Sequence, residues 1–267
     1  MQRSQPWQDY PNLCDTGRLQ LQDRTAPTAQ KVISKPQIFR IIILILSAFL
    51  LTLWDYKIAF TVFNFAICGF YALAVGFRLL SAVIGYTGSP EIRVPESETA
   101  GLDDATVPVY TILIPLYKEA NIVEKIFPVI NSLDYPPLKL DVKILLEAED
   151  HETRIACEEA NLPGCCVMIV VPDGLPRTKP RACNFGLEQA RGEYLVIYDA
   201  EDRPEPDQLK KAVAAFTGLP AETACLQAKL NYYNPDQNWL TSFFTLEYTV
   251  WFDLFLPGLH RLACLFR

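Results

Sequence analysis

Two long apolar runs, separated by a three-residue polar break, constrain this chain more than anything else in it. Residues 38–54 read IFRIIILILSAFLLTLW, and Ile58 to Ile84 form a second run broken in charge only by Arg78. A helix crossing the hydrocarbon core needs about 20 predominantly apolar residues. The second run is long enough. The first reaches that length if Arg40 snorkels at its start and Asp55-Tyr56-Lys57 makes the turn. The competing reading, two buried helices of a soluble domain, is disfavoured by the length of the runs. Lys31, Lys35 and Arg40 flank the start of the first run and Arg78 lies near the end of the second, while in the turn Lys57 merely offsets Asp55. The positive-inside bias then puts both ends of a 38–84 hairpin in the cytosol. This describes a multi-pass protein of the inner (plasma) membrane whose remaining domain is cytoplasmic.

Residues 1–37 are polar, rich in Gln, Pro and Thr, and lack the apolar core and cleavage site of a secretory signal. They read as a disordered cytosolic tail. Residues 85–107 read as a linker with acidic residues and a Gly88-Ser89-Pro90 turn. The net charge of -7 argues against a nucleic-acid partner but leaves room for a nucleotide, which needs only a local positive pocket. The eight cysteines show no CxxC pair and only two histidines accompany them, which argues against structural zinc. Free thiols in a reducing cytosol are the expected state, rather than disulfides.

From Pro108 the pattern changes. VYTILIP (109–115), VKILLE (142–147), CVMIVV (166–171), EYLVIYD (193–199) and TACLQAKL (223–230) read as strands. Residues 119–132, a stretch from about Glu152, residues 181–190 and residues 206–217 read as helices between them. Such alternation predicts a parallel α/β sheet with helices on both faces. Ligands of such sheets bind outside the carboxyl ends of the strands.

At those ends stand Pro115-Leu116-Tyr117-Lys118-Glu119, Glu147-Ala148-Glu149-Asp150 and Asp199-Ala200-Glu201-Asp202. Acidic clusters at one sheet edge repel unless something positive lies between them. A divalent cation bridging a diphosphate answers this, since Mg²⁺ and Mn²⁺ prefer carboxylate and phosphate oxygens. Asp199 and Glu201, two apart in a turn, can reach one metal. A lone D-x-E is weak by itself, because acidic loop residues are usually just solvated. The apolar strand leading straight into this one strengthens it. Arg177-Thr178-Lys179-Pro180-Arg181 places three cations on the same edge, as an anion site or as an ordinary solvated loop. Asn184 follows on the first turn of a helix, whose N-terminus favours phosphate.

PLYKE (115–119), LLEAED (145–150), TKPRACNFGL (178–187) and YDAEDRPEP (198–206) resemble, in order, the motifs of bacterial family 2 glycosyltransferases of the cellulose-synthase-like type. QAKLNYYNPDQNWLTSFFTLEY (227–248) resembles that group's acceptor-side segment. The resemblance implies a GT-A (nucleotide-diphospho-sugar transferase) fold over residues 108–237, preceded by the transmembrane hairpin. It implies a UDP-sugar donor, Mg²⁺ or Mn²⁺ as cofactor, and a growing polysaccharide or lipid-linked acceptor at the cytosolic membrane face, with inversion at the transferred sugar. Carried over, Pro115, Tyr117 and Glu119 border the base and ribose. Glu147, with Glu149 and Asp150 as competitors, is the nucleotide-binding carboxylate. Lys179 and Arg181 contact the diphosphate, and Asp199 and Glu201 form the metal-binding D-x-D pair, with Glu in place of the usual second Asp. The family's later general-base Asp and Q-x-x-R-W motifs are not in these 267 residues, so the resemblance implies a truncated or split product, inactive alone and partnered by the missing half or a synthase complex.

Residues 238–267 are the start of that acceptor region. Asn238 to Leu256 is dense in aromatics, interrupted by Glu247 and Asp253, and reads as an amphipathic interfacial helix or as a core helix. A rival function is a non-catalytic nucleotide-binding membrane subunit. A nucleotidyltransferase is disfavoured, since no glycine-rich strand-to-helix loop precedes the first helix of the α/β region.

Overall fold

A computed structural model describes residues 33–88, 91–160 and 162–262. The expected N-terminal tail lies almost wholly outside them. The chain forms two compact units, one built on Ile92–Leu226 and the other joining Arg24–Glu91 to Gln227–Arg267.

The second unit begins with α1 (Lys35–Trp54). Its entry is fixed by Ser34, whose N–H donates to Gln37 Oε1 at 2.7 Å. The expected three-residue turn contracts to a single joint. Asp55 caps α2 (Tyr56–Thr87), its Oδ1 accepting from the amides of Lys57 (2.8 Å) and Ile58 (3.2 Å). The hairpin therefore extends beyond 38–84 at both ends, because caps rather than hydropathy decide where a helix stops. Both helices are long and apolar enough to cross a membrane. Their large side chains point outward, with Phe65 and Leu73 about three-quarters exposed.

At 1.5 Å per residue, α2 runs about 48 Å, longer than a hydrocarbon core of about 30 Å. Its final turns carry the second half of the unit. That half is α8 (Trp239–Thr249), a π-helical stretch (Val250–Phe255) and α9 (Leu256–Arg261). Contact with α2 is backbone to backbone. A Cβ on Gly85 would strike the Leu254 carbonyl, and one on Gly258 the Ser81 carbonyl. Arg78 lies over the rings of Trp251 (5.8 Å) and Phe255 (6.0 Å). Lys229 bridges Glu91 (3.0 Å) and Asp253 (2.7 Å). No residue of α8 is buried.

The first unit is a four-stranded sheet of order β3-β2-β1-β4, parallel throughout. Its strands are β1 (Tyr110–Leu116), β2 (Leu140–Glu147), β3 (Cys166–Val171) and β4 (Tyr194–Ile197). A short α3 (Glu96–Ala100) lies in the expected linker. The other helices are α4 (Val123–Ser132), α5 (His151–Glu159), α6 (Lys179–Leu187) and α7 (Gln208–Thr217). Period-two alternation along the strands divides the core in two. Ile112, Ile114, Val142 and Ile144 face Val123, Ile126 and Ile130 of α4, Cys157 of α5 and Leu209 and Val213 of α7. Leu113, Leu145, Ile169 and Val171 face Ala182 and Cys183 of α6. Helices thus cover both faces, as expected. Gly186 sets how closely α6 approaches: a Cβ there would come 2.7 Å from Leu145 Cδ2.

One expected strand does not form. Thr223 to Leu230 is without strand structure and mostly exposed. The segment straddles the division between the two units, and Gln227 turns its side-chain amide onto the Ala228 carbonyl. Strand propensity without a ladder partner or a buried face does not make a strand.

Candidate active site

The sheet order places β1 between β2 and β4, so the chain winds to opposite sides from β1 and leaves a crevice at the carboxyl ends. A cleft of about 430 Å³ lies there, within the range of small-molecule sites. Four chain segments build it, and each is held by a local device.

The first is the loop after β1. Lys118 adopts a left-handed conformation (φ 57°), which costs a non-glycine residue about 1–3 kcal/mol. It is held by Asp150, the cap of α5, whose carboxylate accepts the Lys118 N–H and the Thr153 N–H (3.2 Å). Thr153, itself fully buried, accepts the Glu119 N–H on its hydroxyl at 3.0 Å. Burial would raise the Asp150 carboxyl, but these donors overcome it and hold it below the ordinary value. The second segment is the end of β2. Glu147 faces the cleft, and Arg181 stands 3.5 Å from its carboxylate. Glu149 accepts the Tyr117 hydroxyl (3.1 Å) and pairs with Arg177 (2.8 Å), which also holds Asp173 (3.0 Å).

The third segment is the start of α6. Thr178 occupies its cap position without a side-chain cap bond. Its carbonyl accepts the Arg181 (3.0 Å) and Ala182 (3.2 Å) amides, and Pro180 has no N–H, so what the first turn offers an anion is the Lys179 amide and the positive end of the helix. The fourth is the turn after β4, where Asp202 accepts the Asp199 N–H at 2.8 Å and the buried Tyr198 donates to Gln208 at 2.8 Å. Asp199 and Glu201 both line the cleft, and Lys179 reaches across from α6 to pair with Asp199.

Electrostatically the cleft is strained toward the acidic side. Burial pushes the Glu119 carboxyl above its ordinary value, with the nearby Glu201 and Asp150 adding to it. Burial likewise raises Glu147, partly offset by Arg181, and raises Asp202 beside Glu201.

Eight of the expected residues converge on this cleft: Pro115, Tyr117, Glu119, Glu147, Glu149, Lys179, Asp199 and Glu201. Three do not line it. Asp150 is committed to shaping the β1 loop. Arg181 donates to the Pro172 carbonyl and backs Glu147, so it braces the wall instead of facing the space. Asn184 is exposed outside the lining. Arg177 and Thr178 do line it, although the motif reading gives neither a role. Arg177 was signalled by its place in the basic run; Thr178 gives no signal beyond its position before the helix.

As for a metal, no group of three or more His, Cys, Asp or Glu side chains able to hold one exists among the described residues. Two carboxylates suit a hard cation that completes its shell with phosphate oxygens and water, as Mg²⁺ and Mn²⁺ do. The donor set therefore fits a cation that arrives with a diphosphate.

Residues 111–264, more than half of the chain, match the family described as Glycosyl transferase family 2. The chain belongs to that family. Its parallel α/β unit is the GT-A-like fold of a family 2 domain. Among curated relatives, "Glucomannan 4-beta-mannosyltransferase 1" of Oryza sativa subsp. japonica is 25% identical over 147 residues, covering 52% of this chain and 28% of the relative. "Glycosyltransferase AglE" of Haloferax volcanii is 23% identical over 130 residues, covering 49% and 42%. The chain thus spans less than half the length of either. Among solved structures, a mannosyltransferase from Pyrobaculum calidifontis in complex with GDP-Man and Mn²⁺ aligns with a TM-score of 0.46 and 27% identity over 62% of this chain and 48% of that one. In this family 2 chain the four segments that build the cleft all lie inside the matched range.

Proposed function

We propose that this chain binds a nucleoside diphosphate sugar in the cleft, with a divalent cation on Asp199 and Glu201, and supplies the donor side of a membrane-bound glycosyl transfer. The observation that carries this reading is the opposition, within one cleft, of Asp199 and Glu201 to the uncapped start of α6 with Lys179. A diphosphate needs both: an ammonium at the positive end of a helix for its oxygens, and carboxylates to hold its counter-cation. Tyr117, half exposed at the rim, offers a ring face for a base. Glu147 or Glu149 offers the carboxylate for its N–H groups.

In the transfer itself, the acceptor hydroxyl oxygen bonds to the anomeric carbon as that carbon's bond to the diphosphate breaks, and the hydroxyl proton passes to a base. A bound divalent cation would supply charge to the departing diphosphate. The residues described here bind and orient the donor. The acceptor we propose is a growing polysaccharide or lipid-linked sugar at the cytosolic face, with α1 and α2 spanning the membrane. The outward apolar surfaces of both helices and the Lys/Arg distribution support that placement. A cysteine introduced near residue 100 that is labelled from outside intact cells would overturn the orientation.

The donor follows from the motif resemblance as a UDP-sugar; guanosine diphosphate, the nucleotide of the donor bound in the Pyrobaculum calidifontis complex, is the comparison to run beside it. Calorimetry on the full chain in nanodiscs, with uridine and guanosine diphosphates and with Mn²⁺ or a chelator, tests the reading. Binding of at least one nucleotide should require the cation. Equal affinity with cation and with chelator would remove the metal role, and no binding of either nucleotide would remove the donor site.

A further inference from the structure

The cleft-lining side chains include five carboxylates, Glu119, Glu147, Glu149, Asp199 and Glu201, against two cations, Arg177 and Lys179. Arg177 is already shared between Glu149 and Asp173. Lys179 is placed on Asp199. Its ammonium thus sits on the carboxylate that a divalent cation would need. We propose that Lys179 is a resident counter-cation which keeps Asp199 closed to a divalent ion until a diphosphate draws the ammonium away, so that the donor creates its own cation site. This rests on the donor-site reading above and concerns how that site is regulated.

The physical case has three parts. First, Lys179 is free to move. It carries a compact charge on a four-carbon stem, and its side chain and that of Asp199 are both about half exposed, so breaking the pair disturbs no core. Second, its alternative partner would lie close at hand. Lys179 is the first residue of α6, and the positive N-terminal end of that helix lies on the same cleft. A diphosphate seated there offers the ammonium charged oxygens without moving the helix. Third, the exchange leaves a deficit that one ion fills. With Lys179 on the phosphate, Asp199 and Glu201 stand unneutralised beside an added negative charge, and like charges that close cannot all remain ionised without a counter-cation. A ligand shifts such an equilibrium only by its preference for one state; here the diphosphate prefers the state with Lys179 released, and so does the divalent ion. By linkage each should then strengthen the other.

Coupling through a shared phosphate would also make the two ligands cooperative, so the test turns on the cation alone. Free Mn²⁺ is measured by electron paramagnetic resonance against the full chain in nanodiscs, without nucleotide and with saturating uridine or guanosine diphosphate. Wild type should bind Mn²⁺ weakly alone and more tightly with a diphosphate. Lys179→Met should bind Mn²⁺ alone about five-fold or more tightly than wild type, the lower end of ordinary coupling between sites. Lys179→Gln should do the same, which guards against a folding artefact of one substitution. Lys179→Arg, which keeps the charge, should stay weak. Adding Asp199→Asn to Lys179→Met should abolish the gain. If both neutral variants bind Mn²⁺ alone no better than wild type, while wild type takes up Mn²⁺ with a diphosphate, the counter-cation role is wrong and the donor site stands. If wild type takes up no Mn²⁺ with either diphosphate, both readings fall.

Discussion

The two ends of one sheet face put their charges to opposite uses. On the face covered by α6, Thr111 lies beside Asp141 at the amino-terminal end, Leu113 beside Lys143 and Pro115 beside Leu145 farther along, and Glu147 ends β2. Asp141 is fully buried and saturated. It accepts from the Thr111 hydroxyl (3.0 Å), the Arg191 amide (3.0 Å) and the Arg191 guanidinium (2.9 and 2.8 Å), and pairs with Lys143 at 2.9 Å. This knot ties the chain entering β4 to β1 and β2, with the Gly192 amide donating to Thr111 at 2.8 Å. At the other end, about 20 Å along β2 from Asp141 to Glu147 by strand rise, the carboxylates are open and short of cations. Burial alone would raise the Asp141 carboxyl, but its donors hold it below the ordinary value, whereas Glu119 and Glu147 are held above it. A charge whose partners are all supplied by the chain serves the fold; charges left wanting partners make a site.

The sharpest way to break the contrast is to strike the saturated end. Asp141→Ala would leave Lys143 buried and unpaired, and removing one partner of such a pair costs about 3–5 kcal/mol. Chemical denaturation should show a loss of that size. Nucleotide affinity of the protein that remains folded should change little, because the cleft lies at the opposite end. A loss of binding as large as the loss of stability would mean the two ends are not separable.

Next comes the apolar bridge between them. Gly186→Val forces a branched side chain against Leu145 and lifts α6 from the sheet. Overpacking of this kind costs about 1–3 kcal/mol. Because Lys179 and Thr178 ride on the same helix, this variant should lose stability and nucleotide affinity together, as measured by thermal melting and by calorimetry.

At the open end the expectation reverses. Asp199→Asn removes a half-exposed pair, and such pairs contribute about 0–1 kcal/mol to stability. Cation-dependent nucleotide binding should nonetheless fall by about ten-fold or more, in line with about 1.5–3 kcal/mol for a contact to a charged group. A variant destabilised as much as Asp141→Ala would show that Asp199 belongs to the fold.

Legibility in the sequence divides along the same line. The continuous apolar runs of β1, β2 and β3 announce buried parallel strands, and the residues directly after them are the cleft, so most of the site could be read from strand ends and motif order. What could not be read depends on side-chain direction or on partners far along the chain. Asp150 stands beside Glu147 and Glu149 in the sequence, yet it turns away to cap α5 and hold Lys118. Arg181 is two residues from Lys179, but on a helix that spacing points it to another side, toward Pro172 and Glu147. The Asp141–Arg191 knot spans 50 residues and leaves no local pattern. Thr223–Leu230 has the composition of a strand and lacks the neighbour that would make it one.

The smallest effect expected is a dependence on pH, and it follows from the opposed directions of the carboxyls. Asp141 and Asp150 titrate below their unfolded value of about 3.9, so their contribution is fully present above that value and is lost as pH falls through their folded values. Glu119 titrates above its unfolded value of about 4.3, chiefly through burial, so its ionised form costs stability above its folded value, and the cost is relieved as pH falls toward 4.3. Glu119→Gln removes the charge and keeps the shape. At pH 7 the variant should therefore be slightly more stable than wild type. The difference should shrink as pH falls through the folded value of Glu119 and vanish near pH 4, where wild type is itself protonated. Below pH 4 both should weaken together as Asp141 and Asp150 lose their ionised forms. Denaturant midpoints from pH 7 to pH 3 for the two proteins measure this directly. A variant less stable than wild type at pH 7 would mean that the Glu119 carboxylate finds a compensating partner in the fold, and that the open end of the sheet is less short of cations than its geometry indicates.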